Sequence, residues 1–182
     1  RGETRTNTKI VDPVLGTVTD INEPGAPAEP EALDRLQGEL LQLLQPGDIA
    51  VLAGSAPQGA PETLYYRLAL ACREKGACVF LDADGALFRH GVEAAPWLIK
   101  PNREELGRLA GRELYSLHAC IQAGEALLDK GVHLLALSLG GEGALFLTKE
   151  KALHAEGLRV PVLSTVGAGD AMMAALALGS LQ

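Results

Sequence analysis

The stretch STVGAGDAMMAALALG (residues 164–179) joins a loop with almost no side chains to an apolar, helix-forming run. A bare loop leaves backbone N–H groups accessible, and a helix N-terminus favours anions. The stretch therefore predicts an anion site beside the carboxylate of Asp170, at the mouth of the last helix. Two interpretations of Asp170 stay open: an acid that stabilises the helix dipole, or a catalytic base.

Upstream of this helix, short apolar strands alternate with helices. Such alternation predicts a mostly parallel α/β sheet covered on both faces, in which ligands bind beyond the carboxyl ends of the strands. Predicted strands cover residues 48–54, 78–82, 97–100 and 134–140, and a hairpin follows; predicted helices cover residues 33–44, 61–76, 102–110 and 116–130.

The opening residues have a different pattern. Residues 4–12 and 16–22 are rich in Thr, Val and Ile and alternate polar with apolar, which predicts two paired strands outside the main sheet. The Pro/Gly-rich segment 22–31 reads as a hinge. We therefore expect a partial β lid over residues 1–22 and an α/β core over residues 23–182, incomplete at its C-terminus.

Composition narrows the class of protein. With 182 residues, 47% hydrophobic and 21% charged, the chain is long enough for a packed core. A net charge of −7 argues against a nucleic-acid groove or an anionic membrane surface, and no apolar run reaches membrane-spanning length. The three cysteines form no CxxC, so we expect reduced thiols and a cytoplasmic protein. The first residue is Arg1, not Met, and we expect a piece of a longer chain.

Polar residues follow the predicted strands. Ser55 reads either as part of a strand-to-helix turn or as a ligand of a substrate hydroxyl or phosphate. In KPNREEL, Asn102 and Glu105 have capping-box spacing. The alternative is that Lys100 meets a nucleotide phosphate and Glu105 holds a hydrated magnesium ion. In SLGGEGALF, Gly140 and Gly143 predict either a tight hairpin or a backbone platform for a nucleotide.

Together these motifs resemble the phosphofructokinase-B group of the ribokinase-like carbohydrate kinases. TVGAGDAMMAALALG matches the C-terminal signature of that family, and KPNREEL, SLGGEGAL and GSAPQG occur in its order and approximate spacing. The opening segment is similar to the 1-phosphofructokinases in particular. The resemblance implies a three-layer α/β/α fold and transfer of a phosphoryl group from ATP to a sugar phosphate, most directly fructose 1-phosphate.

The resemblance also implies a role for each site residue. Asp170 would be the general base, and the N–H groups of Gly167, Ala168 and Gly169 would form an anion hole. Glu105 would act on Mg²⁺ indirectly, and the lid would cover the sugar and pair two subunits into a homodimer. Sugar-phosphate-binding positions are Arg5, Lys9 and Ser55; ATP-binding positions are Lys100, Asn102, Ser138, Gly140 and Gly143.

The chain also departs from the family pattern. Ala56 and Gln58 replace a Leu and a Pro in a turn, and the N-terminal glycine-rich sugar-binding signature is missing. We therefore expect the 182 residues alone to be weak or inactive as a kinase. Two alternatives stay open: a tagatose-6-phosphate kinase, or a non-catalytic module that binds a sugar phosphate or a nucleotide.

Overall fold

A computed structural model describes residues 3–12, 14–15, 17–162 and 165–181. The chain divides into two compact units: residues 1–42 with 56–61, and residues 43–55 with 62–182. The predicted boundary between a lid and a core after residue 22 stays a prediction. Within the first unit, the N–H of Ala28 donates to the carbonyl of Gln58 at 2.8 Å, which ties the two segments of that unit together.

The first unit contains the two predicted opening strands. Strands β1 (Asn7–Asp12) and β2 (Thr17–Asn22) pair antiparallel in a two-stranded sheet of their own. The prediction that they lie outside the main sheet is therefore confirmed; Gly16 lies outside the described residues. Helix α1 (Pro30–Leu43) follows the hinge, as its leucine spacing predicts, and buries Leu33.

The second unit is built on a six-stranded sheet in which spatial order follows chain order. The first four strands are parallel and the last two antiparallel, so the predicted parallel sheet and terminal hairpin are confirmed. The strands are β3 (Ile49–Ala53), β4 (Cys78–Asp82), β5 (Leu98–Ile99), β6 (Leu134–Ser138), β7 (Ala144–Leu147) and β8 (Ala152–Ala155).

Among the described residues this unit has five α-helices, four of which the sequence predicts. The exception is α3, which the sequence analysis missed because Gly85 and Gly91 weaken its helical pattern. Asp84 caps it and accepts the N–H of Gly85 at 2.6 Å. The helices are α2 (Leu64–Glu74), α3 (Gly85–Glu93), α4 (Arg103–Ala110), α5 (Leu117–Leu128) and α6 (Ala168–Gly179). No helix in the described part of the chain has the length and apolar character needed to cross a membrane.

The helices cover both faces of the sheet. Phe80 and Leu98 are partners in adjacent strands and pack with Met173 of α6. The next residue along β4, Leu81, faces the other way and lies against Gly91 of α3. Leu135 lies in the same row as Leu81 and packs close to α5. The second unit is therefore a three-layer α/β/α structure, with α6 on one face of the sheet and α3 and α5 on the other.

Candidate functional site

Carboxylates from three parts of the second unit converge at the carboxyl edge of the parallel strands. They line a pocket of about 320 Å³, which we call the sheet-edge pocket. Its polar side chains come from the segment after β3, the end of β4, the first turn of α4 and the first turn of α6: Ser55, Asp82, Asp84, Glu105 and Asp170. The predicted residues Ser55, Glu105 and Asp170 are thus brought together, although 115 positions separate the first from the last.

A buried lysine lies beneath this pocket. Lys100 follows β5, its side chain is only 6% exposed, and its Nζ lies 2.9 Å from Oδ2 of Asp82 at the end of β4. A Cβ placed on Gly169 would lie 3.3 Å from the same Nζ. The ammonium group therefore packs closely against the first turn of α6, and a side chain at position 169 would require it to shift by a few tenths of an ångström.

The N-terminus of α6 presents backbone groups at the same place. Gly167 adopts a left-handed conformation with φ of 76°, and its carbonyl accepts the N–H of Ala171 at 2.8 Å. The N–H of Ala168 donates to the carbonyl of Thr165 at 3.2 Å, so one of the three predicted anion-hole donors is already engaged in a turn. N–H groups of a first helical turn have no earlier turn to bond to, which leaves Gly169 and Asp170 as the better placed donors.

The N-terminus of α4 is a complete capping box. The Asn102 side chain accepts the N–H of Glu105 at 2.8 Å, and Oε2 of Glu105 accepts the N–H of Asn102 at 2.8 Å. The structural interpretation of Asn102 is thus confirmed, and its predicted ATP contact stays a prediction. Burial raises the pKa of the Glu105 carboxyl above its ordinary value; the Asn102 hydrogen bond opposes this, and Asp84 and Asp82 add to it.

Two residues of the sheet-edge pocket were missed as site residues by the sequence analysis, and a nearby tyrosine, Tyr65, has a structural role. Asp82 and Asp84 end β4 and begin α3, and the motif LDADG at a strand end was the signal for them. The Tyr65 hydroxyl donates to the carbonyl of Ala53 at 2.8 Å, which holds the end of β3. Burial, and then the charge of Asp82, raise the pKa of Tyr65. The hydroxyl therefore stays protonated and structural.

The predicted nucleotide side lies on the next strands of the sheet. Ser138 ends β6, and its N–H donates to the carbonyl of Pro101 at 2.9 Å. Gly140 begins a 3₁₀ turn, Gly140–Glu142, and Gly143 adopts a φ of 99°. A Cβ on Gly143 would collide with the carbonyl oxygen of Ala155, so the hairpin interpretation of this glycine is confirmed. The backbone platform for a nucleotide remains a prediction.

Two predicted sugar-phosphate residues belong to the first unit. Lys9 lies on β1 and forms an ion pair with Asp20 of β2 at 2.5 Å. Arg5 precedes β1 and packs next to Gly25: a Cβ added to Gly25 would lie 3.3 Å from the Cβ of Arg5. Both assignments stay predictions.

The donor set of the sheet-edge pocket fits a hydrated magnesium ion. Carboxylate oxygens are the ligands that Mg²⁺ prefers, and this ion usually keeps several waters. Four carboxylates line the pocket, yet no group of three potential ligands among the described residues is close enough to hold a metal ion directly. The fit is therefore to binding through water, as expected for Glu105.

The fold agrees with comparisons against known proteins. The model of the pfkB family carbohydrate kinases matches residues 1–182, and the chain belongs to that family. The chain superposes on phosphofructokinase-2 from Escherichia coli in complex with potassium with a TM-score of 0.90 and 28% identity, over 98% of this chain and 58% of that one. The expected ribokinase-like α/β fold is thereby confirmed.

Among curated relatives the similarity is higher. A 1-phosphofructokinase of Rhodobacter capsulatus is 43% identical over 96% of this chain and 56% of its own length. A 1-phosphofructokinase of Vibrio cholerae is 39% identical over 100% of this chain and 57% of its own length. The chain thus spans somewhat more than half the length of the curated relatives it matches.

Proposed function

We propose that the protein to which this chain belongs transfers the γ-phosphoryl group of ATP to fructose 1-phosphate, forming fructose 1,6-bisphosphate and ADP. Membership of the pfkB family and the similarity to 1-phosphofructokinases support this reaction. The observation that carries it is the placement of Asp170 in the sheet-edge pocket, in the helix turn that packs on Lys100. A base, an anion site and carboxylates for a metal ion occupy one edge of the sheet.

Asp170 is the general base of this proposal. Its carboxylate accepts the proton of the C6 hydroxyl of the sugar while the hydroxyl oxygen bonds to the γ-phosphorus and the bond to the β-phosphate oxygen breaks. ADP leaves with the electron pair of that bond. General-base assistance of this kind contributes about 10²–10⁴ in rate. The exposed carboxylate in the first turn of α6 is accessible to such a hydroxyl.

The start of α6 stabilises the transferring group. Backbone N–H groups of the turn Gly167, Ala168 and Gly169 form the proposed anion hole. Gly169 is the best placed of the three, because the Ala168 N–H already donates to the carbonyl of Thr165. The Lys100 ammonium lies close to Gly169 and strengthens the positive potential there. In phosphoryl transfer, positioning and electrostatic stabilisation supply most of the catalysis.

The remaining site residues bind and orient the substrates. The residues assigned to the sugar phosphate are Arg5, Lys9 and Ser55. Glu105, with Asp82 and Asp84 nearby, holds the hydrated Mg²⁺ through its waters. When bound, Mg²⁺ neutralises negative charge on the phosphates of ATP. The residues assigned to the nucleotide are Lys100, Asn102, Ser138, Gly140 and Gly143.

The strand pair β1–β2 completes the proposal as a lid over the sugar and a homodimer contact. These strands expose four large apolar side chains, each 52–59% exposed: Ile10, Val11, Val18 and Ile21. Exposed apolar patches of this kind mark interaction surfaces. Val11 and Val18 share one face of the strand pair, and Ile10 and Ile21 lie on the other. A second copy of the chain would cover one of these two faces. The proposal places this enzyme in the cytoplasm, where ATP is available.

Substrate choice is tested with the full-length protein in a coupled ADP-release assay. Fructose 1-phosphate, tagatose 6-phosphate and fructose 6-phosphate are compared by kcat/KM under identical ATP and Mg²⁺. The proposal expects fructose 1-phosphate to have the highest value. A preference for tagatose 6-phosphate would reassign the substrate, and binding of any of them without ADP release would replace the enzyme by a binding module.

A further inference from the structure

A second cavity lies beside α4, and it shares no lining residue with the sheet-edge pocket. It has a volume of about 720 Å³, and we call it the α4 cavity. Three arginines line it, together with a buried leucine and an 82% exposed tyrosine. These residues are Arg103, Arg108, Arg112, Leu114 and Tyr115. Two carboxylates, Glu104 and Glu113, also line it.

The three arginines differ in their partners. Arg108 pairs with Asp84 at 2.6 Å and with Glu104 at 2.9 Å. Arg103 pairs with Glu142 at 2.9 Å. Within the described ranges, no carboxylate lies within ion-pair distance of Arg112. One guanidinium of the cavity is therefore available to an anion, and two more line the same wall.

We propose that the α4 cavity binds a small phosphorylated molecule, with Arg112 as the first contact of its phosphate. A guanidinium group matches the planar, bidentate geometry of two phosphate oxygens, and such charge-assisted bonds are stronger than neutral ones. The ring of Tyr115 and the side chain of Leu114 offer a flat and apolar surface for the rest of the molecule. A cavity of this size is ample for a ligand of that class.

The two paired arginines connect this cavity to the candidate active site. Asp84, the partner of Arg108, lines the sheet-edge pocket. Glu142, the partner of Arg103, belongs to the glycine-rich turn after β6. A phosphate bound to either arginine competes with these carboxylates and changes the charge presented to the sheet edge. The α4 cavity is thus built to couple ligand binding to turnover.

Binding is tested by calorimetric titration of the full-length protein with inorganic phosphate, with chloride at equal ionic strength as the reference. The wild type and Arg89→Ala, a matched loss of an exposed arginine from α3, are expected to bind phosphate equally. Arg112→Ala is expected to raise the Kd for phosphate about tenfold or more, because loss of hydrogen bonds to a charged group weakens affinity by about that factor. Absence of binding by the wild type, or unchanged binding by Arg112→Ala, would overturn the proposal.

Coupling is tested by the rate of ADP release as phosphate is added. Arg112→Ala is expected to release ADP at the wild-type rate when no phosphate is added. At low phosphate concentrations the rate of the wild type should change and that of Arg112→Ala should not. An identical response in both proteins would refute the coupling. The calorimetric result does not depend on the proposed kinase reaction, so failure of this inference is distinguishable from failure of the proposed function.

Discussion

Replacement of Lys100 by Met is expected to destabilise the second unit strongly. Its side chain is 6% exposed, that of Asp82 is 19% exposed, and the charged atoms lie 2.9 Å apart. Two unit charges at this separation attract by about 6 kcal/mol at an effective dielectric constant of about 20. Removing one partner leaves an uncompensated buried charge, which costs about 3–5 kcal/mol. Because Asp82 retains some contact with water, we expect a loss in the lower half of that range.

The assay is urea unfolding of the full-length protein, with free energies extrapolated to water. Lys149→Met serves as the matched control, because Lys149 is exposed and lies 3.9 Å from Asp129; its effect should stay within about 0.5 kcal/mol. The double variant Lys100→Met/Asp82→Asn should be more stable than the sum of the two single losses predicts, by about 0.5–3 kcal/mol. A Lys100→Met loss below about 1 kcal/mol, or strict additivity, would refute the reasoning on buried pairs.

Three further predictions follow from the capping box, the glycines and the length of the chain. Glu105→Gln keeps an acceptor for the Asn102 N–H and removes a carboxylate whose pKa is raised by burial, so the unfolding midpoint should stay the same or rise. The Mg²⁺ concentration needed for half-maximal turnover should increase. A large fall in the unfolding midpoint would contradict this prediction. Gly143→Ala should lower the free energy of unfolding much more than Gly140→Ala. Both substitutions place a side chain on a residue with a positive φ, which costs about 1–2 kcal/mol, but only a side chain at Gly143 would collide with the Ala155 carbonyl. Equal losses would count against the hairpin interpretation. The 182-residue chain alone should release ADP from ATP and fructose 1-phosphate far more slowly than the full-length protein; equal turnover would disprove that expectation.

Sequence predicted the elements whose signals are local. Asn102 and Glu105 lie three residues apart, so their capping box is visible in the chain itself. Helix α3 was missed because it contains Gly91, a residue of low helical propensity. The structure explains this glycine by its close approach to Leu81 of the sheet, a contact between layers that a local sequence pattern does not contain. The helical propensity of a segment says nothing about such a requirement.

The sequence predicts the edge of the sheet at which the candidate site lies, but not which of its residues form ion pairs. Parallel strands place their carboxyl ends together, so Ser55 and Asp170 were expected near one another. The Lys100–Asp82 pair joins two neighbouring strands, and which residues face each other depends on register, which the sequence does not give. The two compact units likewise depend on contacts such as Ala28 with Gln58.

The role of Asp170 is tested most directly by measuring kcat and the unfolding midpoint of Asp170→Asn side by side in the full-length protein. Asp129→Asn is the control, because it removes an exposed carboxylate that does not line the pocket. A general base predicts a fall in kcat of about 10²–10⁴, far larger than in the control, with an almost unchanged midpoint. An acid that only stabilises the helix dipole predicts a loss of about 0.3–1 kcal/mol in stability and nearly normal turnover. A kcat within about threefold of wild type, well short of general-base loss, would contradict the assignment of Asp170 as the catalytic base.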